Sequence, residues 1–122
     1  MEQTMSTIPD FTPEELEIIK KTVAERFGES KEILLADTEM RLDKSSIQLT
    51  TCPAVYWAAR DCHFVIAKLA DKSYRNQFFY KGYQQYGTGI EEYDDIFTCT
   101  LTLLQVQADH EVKEKLEAGE TK

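Results

Sequence analysis

Three groups of side chains in this sequence have the types that do chemistry, and a fourth has the types that bind. Asp61-Cys62-His63 sets an acid, a thiol and an imidazole side by side. A nucleophilic thiol needs a base within hydrogen-bond reach and a third group to orient that base. Sequence neighbours do not satisfy this by themselves, because on a strand they point to opposite faces and on a helix they lie about 100° apart. The expectation is a buried thiol beside a surface histidine, with no catalytic residue. Asp109-His110-Glu111 is the second group, and His110 and Glu114 would share a helical face at i,i+4. Two such ligands can begin a divalent-metal site but do not complete one, so a solvated helix face is expected, with no metal and no cofactor.

The third group is acidic: Glu91, Glu92, Asp94 and Asp95. These carboxylates could gather a cation or imitate the phosphates of a nucleic acid. The start of a helix explains them equally, since its dipole attracts negative charge. Gly82, Gly87 and Gly89 lack the spacing and the lysine of a phosphate-binding loop, so nucleotide binding is not expected.

The fourth group is the densest, Tyr74-Arg75-Asn76-Gln77-Phe78-Phe79-Tyr80-Lys81-Gly82-Tyr83, continued by Tyr86. Strand alternation would put Tyr74, Asn76, Phe78 and Tyr80 on one face and Arg75, Gln77, Phe79 and Lys81 on the other. Rigid aromatic rings beside arginine and amide side chains are what recognition surfaces use. Arg75, Gln77, Phe79, Lys81, Tyr83 and Tyr86 are therefore the candidate interaction residues, with Glu91, Glu92, Asp94 and Asp95 as a second, acidic candidate surface.

The elements that must position these groups can be read along the chain. Its 122 residues, 42% of them hydrophobic, suffice for one core. The expected organisation is a flexible tail over 1–10, one α+β domain over 11–118 and a flexible tail over 119–122. Phe11-Thr12-Pro13-Glu14-Glu15-Leu16 carries a helix start: Thr12 as N-cap, Pro13 at the first helical position, Glu15 closing a capping box. Leu16, Ile19, Val23 and Phe27 continue at helical spacing, and Gly28 ends the helix.

From Leu34 to Asp43 the period becomes two, a strand, and Ile47 to Thr51 resumes alternation as its antiparallel partner after a turn at 43–46. Residues 53–70 carry both a helical stripe and strand-like composition. Strands are favoured because Asp71-Lys72-Ser73 forms a turn between Phe64–Ala70 and the aromatic run; a helix over 53–70 is the alternative. Ile90, Tyr93, Phe97, Leu101, Leu104, Ala108, Val112 and Leu116 predict a long C-terminal helix, with a strand over Phe97–Val106 as the alternative, since Thr98, Thr100 and Thr102 are poor helix formers. The fold class expected is thus an N-terminal helix, an antiparallel sheet of about four strands and a C-terminal helix.

Charge and cysteine usage narrow the function classes. A net charge of −8 opposes binding to a phosphate backbone, although Ala54–Tyr83 holds five basic and two acidic residues. Single-stranded RNA would require Arg60, Lys68, Lys72, Arg75 and Lys81 to track phosphates against that overall charge, so nucleic acid is disfavoured as a partner. Cys52, Cys62 and Cys99 are an odd number without metal-type spacing and are expected as reduced, packed thiols. No apolar run approaches the roughly 20 residues that span a bilayer, and Met1–Asp10 lacks the basic start of a secretory leader. A cytoplasmic protein with no membrane partner is expected.

The function these features suggest is a non-enzymatic protein-interaction module, an assembly factor, regulator or inhibitor with a protein partner; a homo-oligomer is compatible with it. The alternatives are a small-molecule-binding or enzymatic domain with a pocket lined by Trp57, Tyr80 and Tyr93, and an acidic nucleic-acid mimic.

Overall fold

The computed structural model describes residues 8–40, 47–59, 62–80, 85–88, 90 and 92–117. Helix α1 (Pro13–Phe27) is followed by strands β1 (Leu34–Met40), β2 (Thr50–Ala59), β3 (Cys62–Ala70), β4 (Ser73–Phe79) and the two-residue β5 (Gln85–Tyr86), and then by helix α2 (Ile96–Glu117). The sheet is antiparallel throughout, with the strands in sequence order. This is the expected α+β arrangement, and residues 53–70 are strands.

Helix α1 starts where the capping box places it. The Thr12 hydroxyl accepts from the Glu15 amide at 3.1 Å, and the Glu15 carboxylate accepts from the Thr12 amide at 2.7 Å. Two of the amides left over at a helix start are thereby satisfied. At the other end Gly28 takes a left-handed conformation at φ 75° and donates its amide to the Ala24 carbonyl at 2.8 Å. That backbone conformation is disfavoured for residues with a Cβ.

Strand alternation makes one sheet face apolar. Val55, Trp57 and Ala59 of β2, Cys62, Phe64 and Ile66 of β3, and Tyr74 and Phe78 of β4 are buried under the two helices, with Ile19, Val23, Cys99, Leu103 and Leu104 opposite them. Trp57 stacks on Phe64 with ring centroids 5.2 Å apart. Such a pair adds about 1 kcal/mol beyond its buried area.

Both helices run in the same direction across this face. Helix α1 begins beside Tyr74, where Phe11 stacks on its ring at 6.3 Å, and ends beside Phe64, where Phe27 lies 6.2 Å away. Tyr93, just before α2, exchanges both backbone hydrogen bonds with Tyr74 at 2.8 Å, and His110 near the far end of α2 meets Phe78 at 5.6 Å. Since Lys68 pairs with Tyr74 and Phe64 with Phe78, these contacts mark the two ends of the same strands.

A buried ion pair ties α1 to the sheet. Lys68 lies on the helix-covered face with its ammonium 2.8 Å from Glu15 Oε1 and 2.9 Å from the Asp10 carbonyl. The Tyr74 hydroxyl donates to the other Glu15 oxygen. Glu15 thus serves the cap and the ion pair at once. Burial pushes its carboxyl up, but the hydrogen bonds from Lys68, Tyr74 and the Thr12 amide, with the Lys68 charge, hold it below the ordinary value. Lys68, counted from sequence among the surface cations, is removed from that set by this burial.

Both ends of β2 differ from expectation. Ile47 to Leu49 are exposed and outside the sheet; β2 begins at Thr50 and runs unbroken through Pro53. Pro53 faces Asp37 of β1 and lies just beyond the registered pairs with β3, which begin at Ala54 and Ala67. An edge-like position of this kind tolerates a residue without an N–H. The turn expected at 43–46 lies outside the described residues.

Helix α2 starts at Ile96 rather than near Ile90, because Asp95 acts as its cap, accepting from the Thr98 amide and the Thr98 hydroxyl at 2.8 Å each. Its buried face is Ile96, Cys99, Thr100, Leu103, Leu104 and Gln107, rotated from the expected stripe. Phe97 and Val112, expected inside, are exposed. Thr100 can be buried because its hydroxyl donates to the Ile96 carbonyl at 2.8 Å, one turn back.

Of the expected tails, residues 1–7 and 119–122 lie outside the described residues. Ile8, like Met40, packs partly buried against the Cys52, Ala67 and Leu69 cluster on the sheet face opposite the helices, so the chain before Asp10 does have a side chain to bury.

Candidate interaction surface

The sheet face turned away from the helices is the candidate surface. Alternation along β4 sends Asn76 and Phe78 into the core and Arg75, Gln77 and Phe79 to this outer face, as the sequence period requires. Cross-strand register then sets Arg75 beside Ala67, Gln77 beside Val65 and Phe79 beside His63. All three side chains are half-buried among their strand neighbours.

His63 lies between two rings. Its imidazole stacks on Phe79 at 5.0 Å and on Tyr56 at 5.8 Å, each with planes 18° apart. The Tyr56 hydroxyl and His63 Nδ1 are 2.5 Å from one another. A continuous aromatic row therefore crosses β2, β3 and β4, extended toward β1 by the exposed Leu34, which pairs with Tyr56. Next to the row a shallow cleft of about 320 Å³ is lined by Thr38, Met40, Val65, Ala67, Arg75 and Gln77. At the far end of the same face Ile8 covers Cys52, Ala67 and Leu69, so the open area lies on the Tyr56–Phe79 side.

The other sequence candidates separate from this surface. Tyr86 belongs to the opposite side of the sheet: its ring lies 5.3 Å from Phe78, 6.2 Å from Tyr80 and 4.4 Å from His110. The two-residue β5 turns this ring inward by pairing Tyr86 with the inward-facing Phe78. Lys81 and Tyr83 lie outside the described residues.

The acidic group is distributed as well. Glu91 lies outside the described residues, Glu92 accepts from the Ser73 hydroxyl at 2.5 Å, Asp94 is exposed, and Asp95 is the α2 cap. The dipole argument is met by Asp95 at the cap, with no acid in the first turn of the helix.

The potential nucleophile and base are divided by the sheet. Cys62 is buried under the helices while His63 faces out, and burial pushes the Cys62 thiol up to about 11. Such a thiol is protonated at neutral pH and unreactive. Asp61 lies outside the described residues. Cys52 and Cys99 are also buried free thiols, the latter pushed up to about 12 by burial.

His110 turns toward the sheet, stacked on Tyr80 at 5.4 Å, with its Nδ1 3.2 Å from the Tyr80 hydroxyl. Among the described residues no three acidic, histidine or cysteine side chains cluster as a metal site. Trp57 is in the core, and Tyr93 is held by a 2.5 Å hydroxyl contact with Thr88, which also donates to Asn76 at 3.0 Å. Neither these two nor Tyr80 lines the cleft beside the aromatic row. No described helix is long and apolar enough to cross a membrane.

Sequence reasoning missed the contribution of β2 and β3 to the outer face. Tyr56, His63 and Val65 were the available signal: each alternates with a buried neighbour, but only strand register brings them beside Phe79 and Gln77. Comparison with known proteins finds no matching family model, no matching curated protein and no matching solved structure.

Proposed function

We propose that this chain is a non-enzymatic interaction module that docks a protein partner on its outer sheet face. The observation that supports the reading is the stacked row Tyr56–His63–Phe79 on the face left uncovered by both helices, with Arg75 and Gln77 beside it. Rings already held by stacking lose little freedom when a partner covers them, and the flanking arginine and amide supply directional contacts. Val65 and Met40 add apolar area at the neighbouring cleft. The thiol and imidazole adjacent in sequence stand on opposite faces, which supports recognition over thiol–imidazole catalysis at this segment.

The test combines Arg75→Glu with Phe79→Ser and compares it with Glu91→Lys plus Asp94→Lys on the acidic side. Both variants should retain a cooperative melt. The first should lose at least about tenfold in affinity for the partner recovered with the parent from native extract, since reversing a charge against a complementary patch is costly. Normal binding by the first variant and loss by the second would transfer recognition to the acidic segment.

A further inference from the structure

Part of the expected apolar stripe of α2 borders the surface between the two helices. Phe97, Leu101, Leu104 and Ala108 line a cleft of about 300 Å³ whose opposite wall is formed by Thr22, Glu25 and Arg26 of α1. The cleft lies on the far side of the helix layer from the aromatic row. Its lining is mostly apolar, and Phe97 is 47% exposed on its rim. Thr22 brings no free donor, because its hydroxyl is already given to the Ile18 carbonyl at 2.7 Å.

Arg26 is the exception in this wall. Its Nε–H is buried and has no hydrogen-bond partner among the described residues, and the side chain lines the cleft, where the rest of its guanidinium is within a ligand's reach. Its guanidinium carbon rests 4.9 Å from the centre of the Phe27 ring, a contact that holds the charged group but accepts no N–H in its plane. Buried polar atoms are satisfied in the great majority of cases, and an orphaned guanidinium N–H is among the costlier exceptions. A carboxylate matches the guanidinium fork in geometry and in charge.

We infer that the α1–α2 cleft binds a small apolar carboxylate, with its acid group on Arg26 and its hydrocarbon part against Leu101, Leu104, Ala108 and Phe97. The volume suits a ligand of modest size, at the lower end of the range for small-molecule sites. Glu25, exposed on the same wall, disfavours any placement of the acid group away from Arg26.

Sodium octanoate is the probe, titrated below its micellar concentration against the full chain, with octan-1-ol as the uncharged counterpart. Octanoate should saturate one site with a dissociation constant on the order of 1 mM or tighter, shifting the amide resonances of Thr22, Leu101 and Ala108. Octanol should bind about tenfold more weakly, and Arg26→Met should weaken octanoate by a similar factor while leaving octanol unchanged. Ala108→Phe, which fills the cleft from the other helix with Arg26 intact, should abolish binding of both. The inference is overturned by an absence of saturation, by equal affinity for acid and alcohol, or by octanoate binding that survives Ala108→Phe.

Discussion

Replacing Lys68 with methionine probes how α1 is fastened to the sheet. The parent holds the Lys68 ammonium, with no accessible side-chain surface, 2.8 Å from a Glu15 carboxylate whose side chain is 11% accessible. Removing one partner of a buried pair costs about 3–5 kcal/mol, because the remaining charge stays desolvated. Glu15 would keep the Tyr74 hydroxyl and the Thr12 amide as donors, so the lower end applies, about 3 kcal/mol. For a chain of this size that lowers the melting temperature on the order of 10 °C.

The loss should also depend on pH, with a definite sign. The Glu15 carboxyl is held below its ordinary value of 4.5 in the folded parent. Its contribution to stability is therefore complete above that value and is lost as pH falls through the lower folded value. Without Lys68, burial is opposed by fewer groups and the folded value rises. The gap between parent and variant should be largest at pH 7 and shrink on acidification, once Glu15 is protonated in both. Urea unfolding at pH 7 and at about pH 3 measures both quantities. Adding Glu15→Gln to Lys68→Met removes the stranded charge, keeps an amide oxygen for the cap, and should recover most of the loss. A Lys68→Met protein within about 0.5 kcal/mol of the parent at pH 7, or an unchanged gap in acid, would refute the account.

Thr12→Ala removes the hydroxyl that accepts the Glu15 amide and should cost about 1 kcal/mol in the same urea assay; an unchanged midpoint would remove the capping box from the account of α1. Thiol titration of the unfolded, unreduced protein should find all three cysteines, and should find essentially none reacting in the native state at pH 7, where burial keeps Cys62 and Cys99 protonated. A single reactive thiol after unfolding would mean that two had been joined.

Helix α1 could be read from the chain because its signals are local. A cap, a proline, a capping-box glutamate and a terminal glycine all act within one turn of where they stand, so Thr12 to Gly28 required no knowledge of the rest. The alternation of β4 was local as well, which is why Arg75, Gln77 and Phe79 were correctly placed together on one face. The order helix, antiparallel strands, helix followed from periods read together with turn signals such as Asp71-Lys72-Ser73.

Tertiary structure decided what the periods left open. Residues 53–70 carry a helical stripe and a strand pattern together, and pairing with β1 and β4 on either side chose the strands. The side of α2 that is buried depended on how the helix lies on the sheet: Asp95 set its start, and packing turned Thr100 and Gln107 inward while leaving Phe97 at the surface. Lys68 looked like a surface cation because its partner, Glu15, is 53 residues away in the chain. Tyr86 moved to the helix side and Tyr56 and His63 joined Phe79 for the same reason. Propensity and period describe one segment at a time, whereas the face a side chain shares with distant residues depends on strand register and layer packing, which only the folded chain defines.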